Sequence, residues 1–556
     1  MREWLRTLEE TPDLQGAFPR LRESQVDALS THGEHRHTRI GEVLYGEAVE
    51  GYDFFVVLSG KVAVVAGYES QEQQLITVHG PGRFVGELGL LTGQASLATA
   101  VVAEDGEVLE LSPADLRGVV ERDPMLGDLV LRAYLLRRSL LIGIGVGFRI
   151  IGSSYSAGTH RLREFAARNR QPHRFVDLDK DPAAERLLSG LGVRPEETPI
   201  VILGGQELLR DPSNVELARR LGVPVASAPP GLLDLVVVGA GPTGLAAAVY
   251  AASEGMSVVA LEAVATGGQA GTSSRIENYL GFPSGISGAE LATRAAIQAQ
   301  KFGARLSVPA TATGLEEEDG HYAVRVEDGC SVCGRTVLIA SGAQYRRLPV
   351  PRLADFEATS IYYAATQQEA QWCGDAPVAV VGGGNSAGQA ALFLSHTASR
   401  VSLVVRERDL AENMSRYLVT EIERTANIEV SRHSEIRELR GDRVLRALLV
   451  EDSETGTCRE VEARGLFVFI GVTPCTRWLG EKVACDADGF VLTGPDVVDP
   501  IPSSLLETSL PGVFAAGDVR SGSTKRVASG VGEGAMAVRL VYEHLAQGEG
   551  FAYGRR

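Results

Sequence analysis

Two glycine-rich loops contain the residues whose types and spacing most clearly suggest chemistry. In the first, LVVVGAGPTGLAAAVYAASEG, three glycines separate an apolar strand from a helix of small residues, and the next strand, VVALE, ends at Glu262. The glycines allow the backbone to approach a pyrophosphate at the helix N-terminus, and the acid can accept hydrogen bonds from a ribose 2′-hydroxyl. The pattern predicts a dinucleotide-binding loop, with a purely structural turn as the alternative. The residues assigned to it are Gly239, Gly241, Pro242, Thr243, Gly244 and Glu262.

A second loop of the same kind, VAVVGGGNSAGQAALFL, follows farther along the chain. The strand after it, VSLVV, ends at Val405 without an acid at the ribose position, and Arg406 comes next. A carboxylate there would repel a 2′-phosphate whereas a guanidinium can pair with one, so this loop is interpreted as an NADP site. Glu407 separates Arg406 from Arg408, which leaves the alternative that both arginines lie on a solvated face. The predicted contacts are Gly382, Gly384, Asn385, Ser386, Ala387 and Arg406.

Six cysteines could carry thiol chemistry, and none of them precedes residue 330. Cys330 and Cys333 have the spacing of a redox pair, but they lie at the start of an extended segment, where residues three apart point to opposite faces. A disulfide there would distort the strand pairing, so redox function at this pair is the less favoured interpretation. The other cysteines lack metal-ligand spacing, no metal site is expected, and packing is the predicted role. They are Cys373, Cys458, Cys475 and Cys485.

The composition is that of a globular protein with three or four domains. Of the 556 residues, 44% are apolar, and the formal net charge is −17. A nucleic-acid or anionic-membrane surface needs a concentrated basic footprint, which this charge argues against. The longest apolar run, LLIGIGVGF, is far shorter than the ~18 residues of a membrane span. We therefore expect no nucleic-acid partner, no membrane partner and a cytoplasmic location.

The elements that would position the glycine loops change along the chain. Residues 20–111 contain short alternating strands with glycine at turn positions, which is typical of a small antiparallel barrel or jelly roll. Over residues 147–228 strands alternate with helices, which implies a partly parallel sheet. The paired prolines in VPVASAPPGLLD mark a linker. Beyond it, the two glycine loops imply two related nucleotide domains.

The segment GRFVGELGLLTGQASLATAVVAEDGEVLEL resembles the phosphate-binding cassette of cyclic nucleotide-binding domains, with Gly86, Glu87 and Leu88 at its start. The resemblance implies that Glu87 would meet a ribose 2′-hydroxyl. Ser96 stands where that family has the arginine that pairs with the cyclic phosphate. Losing this charge-assisted contact removes ~1.5 to 3 kcal/mol, so we expect a regulatory or interaction domain that keeps only the fold.

Residues 147–228 resemble the thioredoxin or glutaredoxin fold, with TPIVI supplying the expected proline at Pro199, predicted to follow a cis peptide bond. Such domains place a cysteine pair about where this chain has Tyr155, Ser156, Ala157 and Gly158. Because the segment contains no cysteine, thiol exchange within it is excluded. A shuttle or docking role is compatible with the sequence.

Residues 232–556 resemble the thioredoxin reductase-like group of flavoproteins with two dinucleotide domains. Besides the glycine loops, the resemblance is carried by GGQ at 267–269, ENYLGFP at 277–283, IASGA at 339–343, GVTPCT at 471–476 and GVFAAGDV at 512–519. It implies FAD at the first loop and NADPH at the second. It also implies that Asp518 binds the FAD ribityl chain and that the segment KRVASGVGEGA caps the isoalloxazine through a helix N-terminus near Gly532. The further FAD contacts that it implies are Gly268, Gln269, Asn278, Gly342, Gly517, Arg526, Val527 and Ala528.

These resemblances make the expected fold class multidomain α/β. It consists of an N-terminal β-barrel or jelly roll, a thioredoxin-like α/β domain and two Rossmann-like three-layer dinucleotide-binding domains. A homodimer is also expected. The expected domains are 1–143 (cyclic nucleotide-binding-like), 147–228 (thioredoxin-like), 232–346 with 471–556 (FAD-binding, in two parts) and 347–470 (NADPH-binding).

Thioredoxin reductases carry a Cys-x-x-Cys shortly before the second glycine loop, where this chain has Ala365 and Gln368. Relay from flavin to a substrate disulfide requires attack by a thiolate, so the departure argues against that activity. The leading hypothesis is an oxidoreductase that passes hydride from NADPH to FAD and on to an unidentified acceptor by direct contact, as in ferredoxin reductases of similar architecture. The sequence does not name the acceptor, for which a small redox protein is one candidate, and no catalytic side chain is required because the flavin carries the chemistry. The alternatives are a thiol reductase using Cys330 and Cys333 or a cysteine-bearing partner, and a ligand or redox sensor.

Overall fold

The protein was analysed as a computed structural model. It describes residues 2–547 except 15, 48, 50, 70–72, 87–94, 145, 155, 182–183, 185–187, 189, 191, 204–206, 224, 226–230, 274–275, 277–278, 319, 358, 364, 366–369, 371–372, 443 and 499–503. The chain forms two compact units. The first comprises Met1–Ala240, Leu245–Gly268 and Ala292–Val337, and the second comprises Gly241–Gly244, Gln269–Leu291 and Leu338–Arg556.

The first unit begins with an antiparallel β-structure, as the alternating strands predict. Its strands are β1 Glu34–Thr38, β2 Val43–Tyr45, β3 Phe54–Ala66, β4 Gln74–His79, β5 Phe84–Val85 and β6 Thr99–Leu111. They pair in the order β1-β6-β3-β4, with β2 also on β6 and β5 also on β3. Strands β3 and β6 are the longest, and apolar side chains such as Val56 and Leu109 face one buried core.

Helices flank this β-structure. They are α1 Arg2–Leu5, α2 Glu23–Ser30, α3 Pro113–Arg122 and α4 Pro124–Gly143. Asp123 caps α4, because its carboxylate accepts the backbone N–H groups of Met125 and Leu126 at 3.0 and 3.1 Å. Pro124 suits the first position of the helix, where a backbone N–H would have no partner within it. The cap fixes the point at which α4 leaves the β-structure.

The segment 147–228 contains a four-stranded, partly parallel sheet, as predicted. Its strands are β7 Phe148–Gly152, β8 His173–Asp177, β9 Ile200–Leu203 and β10 Glu207–Arg210, and its helices are α5 Ala157–Arg168 and α6 Asn214–Arg220. The strand order is β10-β9-β7-β8. Strands β7 and β8 are parallel, and the other pairs are antiparallel. The peptide bond before Pro199 is cis, which confirms that prediction.

Hydrogen bonds link helix α4 to the loop that follows the first glycine unit. The buried Arg138 guanidinium donates to the carbonyl of Arg170 at 2.9 Å. The neighbouring Asn169 side-chain amide donates to the carbonyl of Val264 at 2.9 Å. Residues 169 and 170, just after helix α5, therefore join α4 to the loop beginning near Val264.

The first glycine loop lies in a mixed sheet. Its strands are β11 Leu233–Val238, β12 Val258–Leu261, β13 Arg305–Ser307, β14 Ala312–Glu318, β15 His321–Val326 and β16 Ser331–Ile339, and its helices are α7 Pro242–Ser253 and α8 Gly288–Lys301. The strands are ordered β13-β12-β11-β16-β15-β14. The pairs β11–β12 and β12–β13 are parallel, whereas β14, β15 and β16 form an antiparallel meander.

The second unit contains the remaining elements. Its strands are β17 Ala343–Tyr345, β18 Ile361–Tyr362, β19 Val378–Val381, β20 Val401–Val404, β21 Ile428–Ser431, β22 Ser434–Gly441, β23 Leu445–Asp452, β24 Cys458–Glu462, β25 Gly465–Val468, β26 Val472–Pro474 and β27 Val513–Ala515. Its helices are α9 Leu353–Phe356, α10 Asn385–Ser395, α11 Arg416–Arg424 and α12 Val527–Gln547. After β27, the N–H of Ala516 donates to the carbonyl of Ile339 at 3.1 Å, within the same unit.

The second glycine loop lies in a parallel sheet of order β18-β25-β19-β20-β21. One face of this sheet packs on α10 and α11 through residues such as Val380 and Leu403. The other face packs on the antiparallel sheet β22-β23-β24 through residues such as Ala379 and Val404. The result is the three-layer arrangement that the sequence predicts.

Within the described part of the chain, no helix is long and apolar enough to cross a membrane. Nor do the described residues contain a group of three or more His, Cys, Asp and Glu side chains placed to hold a metal ion.

Candidate functional site

The first glycine loop is joined to the residue after the second strand. Gly239 has a φ of 107°, a conformation that glycine adopts without steric cost, and its N–H donates to the carbonyl of Leu261 at 2.7 Å. The Glu262 carboxylate accepts the N–H groups of Ala240 at 2.9 Å and Val264 at 3.1 Å. The predicted ribose-binding acid is thereby fixed against the loop.

In the second unit, two glycines make room for Thr243, which is buried near the start of α7. A Cβ added to Gly530 would lie 2.6 Å from the Thr243 hydroxyl, and one added to Gly517 would lie closer still. Gly517 also has a φ of 78°. Side chains at these two positions would push the Gly517–Val519 turn and helix α12 away from Thr243.

Asp518 lies in that turn, half-buried, and burial raises the pKa of its carboxyl. Glu533 raises this pKa further, while Lys525 lowers it. The turn is held by Glu533 on α12, whose carboxylate accepts the Gly517 N–H at 2.7 Å and pairs with Arg520 at 2.8 Å. Asp518 is thus a carboxyl group on a fixed turn with little water around it.

The remaining residues assigned to FAD occupy several loops. The Gln269 amide donates to the Ala343 carbonyl at 2.8 Å. The Gly342 carbonyl accepts the Cys475 N–H at 2.9 Å, and Gly342 and Gly268 have φ values of 71° and 53°. Asn278 lies outside the described residues.

Helix α12 begins at Val527, so the expectation of a helix N-terminus near Gly532 is wrong. Gly532 lies within the helix, in its second turn. Val527 and Ala528 form the first turn, and the Arg526 carbonyl accepts the Gly530 N–H at 3.0 Å. Any ligand placed on this helix N-terminus would therefore meet residues 526–528.

The second glycine loop is held close to helix α10. Gly382 has a φ of 138°, and an added Cβ would lie 2.8 Å from the carbonyl carbon of Phe469 and 3.3 Å from the Ala387 methyl group. Ala387 is fully buried. A Cβ added to Gly384 meets no atom within 4 Å, so the loop has open space above it. Asn385 and Ser386 are exposed at the helix start, although the Asn385 side-chain oxygen already accepts the Ser415 N–H at 2.7 Å.

The side chain of Glu407 contacts the second loop, a contact that the sequence interpretation did not include. Strand β20 ends at Val404, Arg406 is exposed, and the Glu407 side chain turns back onto the loop. The Glu407 carboxyl carbon lies 2.7 Å from the point that a Cβ on Gly383 would occupy. From the sequence, Glu407 was considered only as the residue between Arg406 and Arg408, and its contact with the loop was not predicted.

Comparisons with known proteins agree with the two loops. The profile of the family described as pyridine nucleotide-disulphide oxidoreductase matches residues 233–534, more than half of the chain. This chain belongs to that family. A second profile, that of the cyclic nucleotide-binding domain, matches residues 35–123.

Individual relatives of this pyridine nucleotide-disulphide oxidoreductase align with the same part of the chain. The 34.2 kDa protein in rubredoxin operon of Clostridium pasteurianum is 32% identical over 313 residues, which are 56% of this chain and 97% of that protein. Thioredoxin reductase of Treponema pallidum is 30% identical over 312 residues, with shares of 56% and 97%. The crystal structure of Lactococcus lactis thioredoxin reductase covers 57% of this chain and 99% of its own, at 26% identity and a TM-score of 0.47. The resemblance to thioredoxin reductase-like NAD(P)H flavoproteins is confirmed.

Such enzymes contain FAD and use NADPH, and the residues of this oxidoreductase fit both groups. Gly239 and Gly382 place the backbone of each loop where a pyrophosphate can approach, and helices α7 and α10 begin directly after the loops. Each unit also carries one of the carboxylates assigned to FAD, Glu262 in the first and Asp518 in the second, and their roles stay predictions. Sequence reasoning missed Glu533, whose signal is an acid one helical turn after Gly530 in SGVGEGA.

The cysteines of this oxidoreductase form no disulfide with one another. Cys373 packs beside Gly465 at the edge of the core, as predicted. Cys458 is exposed at the start of β24, so the packing prediction is wrong there. Burial and the neighbouring Asp486 raise the pKa of Cys485, which disfavours its thiolate.

The positions of the missing redox pair differ in how far they can be described. Ala365 is partly buried and packs against the core that contains Val380 and Leu403. Gln368 lies outside the described residues, as does Tyr155 in the segment 147–228. The expected start of the cyclic nucleotide cassette is likewise described only at Gly86, since Glu87 and Leu88 fall in a gap.

Ser96, the residue in place of the cassette arginine, binds the neighbouring loop. Its hydroxyl donates to the Gly46 carbonyl and accepts the Val49 N–H, the latter at 3.1 Å. Its own N–H donates to the Val49 carbonyl at 2.9 Å. Ser96 is 4% exposed, and these hydrogen bonds tie the segment just before β6 to the loop that contains Gly46 and Val49.

Proposed function

We propose that this chain is an NADPH-dependent flavoprotein that passes electrons to an external acceptor without a redox disulfide of its own. The observation that carries the proposal is Ala365, a methyl group packed on the core where the related reductases have a thiol. No thiolate can form there, so disulfide exchange cannot begin at this position. FAD, when bound, supplies the hydride chemistry.

The chain's own residues would bind and orient the two nucleotides. We assign the adenosine ribose of FAD to Glu262, which the Ala240 and Val264 N–H groups already hold in place. We assign the ribityl hydroxyls to Asp518, whose pKa is raised chiefly because burial removes water from its carboxyl group. Ribityl hydroxyls would donate hydrogen bonds to the ionised carboxylate.

NADPH is assigned to the second loop. The N-terminus of α10, with exposed Ser386, offers backbone N–H groups to a pyrophosphate. Arg406 is exposed two residues after strand β20 and can pair with a 2′-phosphate. The proposed electron transfer requires no side chain to act as an acid, base or nucleophile.

The remaining thiols are poor substitutes for the missing pair. On β16, Val332 and Gly334 are buried, whereas Cys333 shares the opposite face with exposed Ser331 and Arg335. Cys333 is six residues before Ile339, the end of the strand that leads to Gly342, which at ~3.3 Å per residue is roughly 20 Å. A thiol at that distance cannot react with a flavin near Gly342.

The acceptor is proposed to be a small redox protein. Some relatives are named thioredoxin reductase, and one is named for a rubredoxin operon. These names favour a small redox protein as the partner. We also propose a homodimer, a cytoplasmic location and a thioredoxin-like docking domain at 147–228, whose partly parallel sheet agrees with such a fold. The boundaries of the four expected domains stay predictions.

The test is a stopped-flow screen of flavin reoxidation after reduction by NADPH. The acceptors are ferredoxin, rubredoxin, quinone, oxygen, a small disulfide and oxidised thioredoxin. Fast reoxidation by a non-disulfide acceptor, with none by thioredoxin, is expected. Fast turnover of thioredoxin would contradict the proposal, and tight cofactor binding with negligible turnover of every acceptor would favour a sensor.

A further inference from the structure

In each glycine loop, a glutamate side chain contacts the residue directly after the first glycine. Gly239 and Gly382 both donate their N–H to the last residue of the neighbouring strand, at 2.7 Å to Leu261 and 3.0 Å to Val404. The next residue, Ala240 or Gly383, therefore occupies the same position in each loop. Glu262 contacts Ala240, and Glu407 contacts Gly383.

The route by which the acid reaches the loop differs. Glu262 directly follows its strand, whereas Glu407 comes three residues after Val404. The side-chain amide of Asn413 donates to the Glu407 carboxylate at 3.3 Å, and the His433 N–H donates to the Glu407 carbonyl at 3.3 Å. Contacts of both its backbone and its side chain thus hold Glu407 in place.

We propose that Glu407 sets the selectivity of this loop between nucleotides with and without a 2′-phosphate. The proposal rests on the assignment of the nicotinamide nucleotide to the second loop. A carboxylate at this point accepts a hydrogen bond from a ribose 2′-hydroxyl and repels a phosphate in its place. The exposed Arg406 attracts that phosphate, so Glu407 opposes Arg406 and narrows the preference for NADPH over NADH.

The test measures binding of two fragments that differ only in the 2′-phosphate, adenosine 2′,5′-bisphosphate and 5′-AMP, to the FAD-loaded full chain by calorimetry. Glu407→Gln should tighten binding of the bisphosphate about tenfold, since a charge is removed beside it, and change binding of 5′-AMP by less than about threefold. Asn413→Ala releases the carboxylate without removing it. It should shift the ratio of the two affinities, that for the bisphosphate over that for 5′-AMP, in the same direction by a smaller factor. Arg406→Ala should shift it the opposite way.

Glu429→Gln is the control, because it removes one exposed carboxylate from the adjacent strand β21 of the same sheet. It should leave the ratio unchanged. Equal shifts for the two fragments in Glu407→Gln, or none, would overturn the selectivity role while leaving the nucleotide assignment intact. Failure of either fragment to bind the unmodified protein, together with failure of NADPH to reduce the flavin, would overturn both.

Discussion

At the scale of single residues, the carboxyl of Asp518 illustrates a conflict between binding and stability. Its pKa is raised by burial, so its ionised form is disfavoured in the folded protein. A group with a raised folded-state pKa contributes its stability below the unfolded pKa and loses it as the pH rises through the folded value. At neutral pH the charge therefore lowers stability until a ligand supplies hydrogen-bond donors.

Replacing this charge should separate the two effects. In the FAD-free protein, Asp518→Asn should raise the unfolding temperature by roughly 2–4 °C, corresponding to about 1 kcal/mol. In the same variant the bound flavin content should fall, because the strongest acceptor for a hydroxyl is lost. Differential scanning fluorimetry and the visible flavin spectrum measure the two quantities, and a lower apo-protein melting temperature would contradict the argument. Asp488→Asn, at an exposed position, is the matched control.

His79 should make the N-terminal β-structure sensitive to acid. Its ring is buried against Phe18, and burial followed by the charges of Arg137 and Arg83 lowers its pKa well below 6.5. In the unfolded chain this histidine binds a proton near pH 6.5, whereas in the folded chain it stays neutral at that pH. The free energy of unfolding therefore falls as the pH drops below 6.5, by up to ~1.4 kcal/mol per pH unit. In His79→Gln this slope should flatten, while His37→Gln, at an exposed site, should keep it. Hydrogen exchange of β3 and β6 between pH 7 and 5 measures it, and equal slopes in the unmodified protein and His79→Gln would refute the prediction.

Ser96 predicts the response to cyclic nucleotides. Its hydroxyl is already used by Gly46 and Val49, so no cationic group meets a cyclic phosphate at this position. Calorimetry with cyclic AMP and cyclic GMP should show weak binding or none, and micromolar affinity would overturn the expectation. Ser96→Ala should lower the free energy of unfolding by about 1–3 kcal/mol through loss of the buried hydrogen bonds.

At the scale of elements, strand β16 decides whether the Cys330 and Cys333 thiols can serve the flavin. Val332 and Gly334 are buried, while Cys333 lies on the opposite face with exposed Ser331 and Arg335. Cys330 precedes the strand and its carbonyl accepts the Val326 N–H at 2.8 Å, which fixes the turn before β16. The strand thus holds Cys333 well before its carboxyl end.

An anaerobic titration with dithionite tests this geometry. With no disulfide in series, two electrons per flavin should bleach the FAD. Cys330→Ser with Cys333→Ser should leave both the titration and NADPH oxidation with an artificial acceptor unchanged. A requirement for four electrons that falls to two in the double variant would return the protein to the thiol reductases.

The sequence predicted the elements around the loops better than the contacts made by their side chains. Strands such as β11 and β19 and the glycines after them follow from local apolar runs and turn residues. The contact of Glu407 depends on how residues 405–413 fold back, and that of Ser96 on a loop some 50 residues earlier. Neither leaves a local pattern in the sequence. The predicted start of helix α12 was wrong because it was taken from the resemblance and not from a capping residue in the sequence.

At the scale of the whole molecule, the N-terminal module and the segment 147–228 are parts of the same compact unit as much of the first glycine sheet. A cyclic nucleotide-binding profile and a flavoenzyme profile thus occur in one chain. The buried side chain of Arg138 is held by the Arg170 carbonyl, and Asn169 is held by Val264. Hydrogen bonds are short-range and directional. These two can therefore couple α4 to the loop near Val264 only while the donor and the acceptor of each bond keep their geometry.

The corner formed by Asn169 and Arg170 implies an energetic reciprocity between helix α4 and flavin occupancy. We expect a ligand that orders the loop following Val264 to slow the local opening of α4, and by linkage a clamp on α4 would then raise flavin affinity by the same factor. Stripping FAD should therefore speed amide hydrogen exchange in the C-terminal half of α4. Asn169→Ala should abolish that difference, whereas Asn427→Ala, which removes a comparable side-chain amide elsewhere, should preserve it. If Asn169→Ala keeps the full difference in hydrogen exchange between the FAD-bound and FAD-free protein, Asn169 and Arg170 do not couple α4 to the flavin. The N-terminal module would then have no energetic link to flavin binding through these residues.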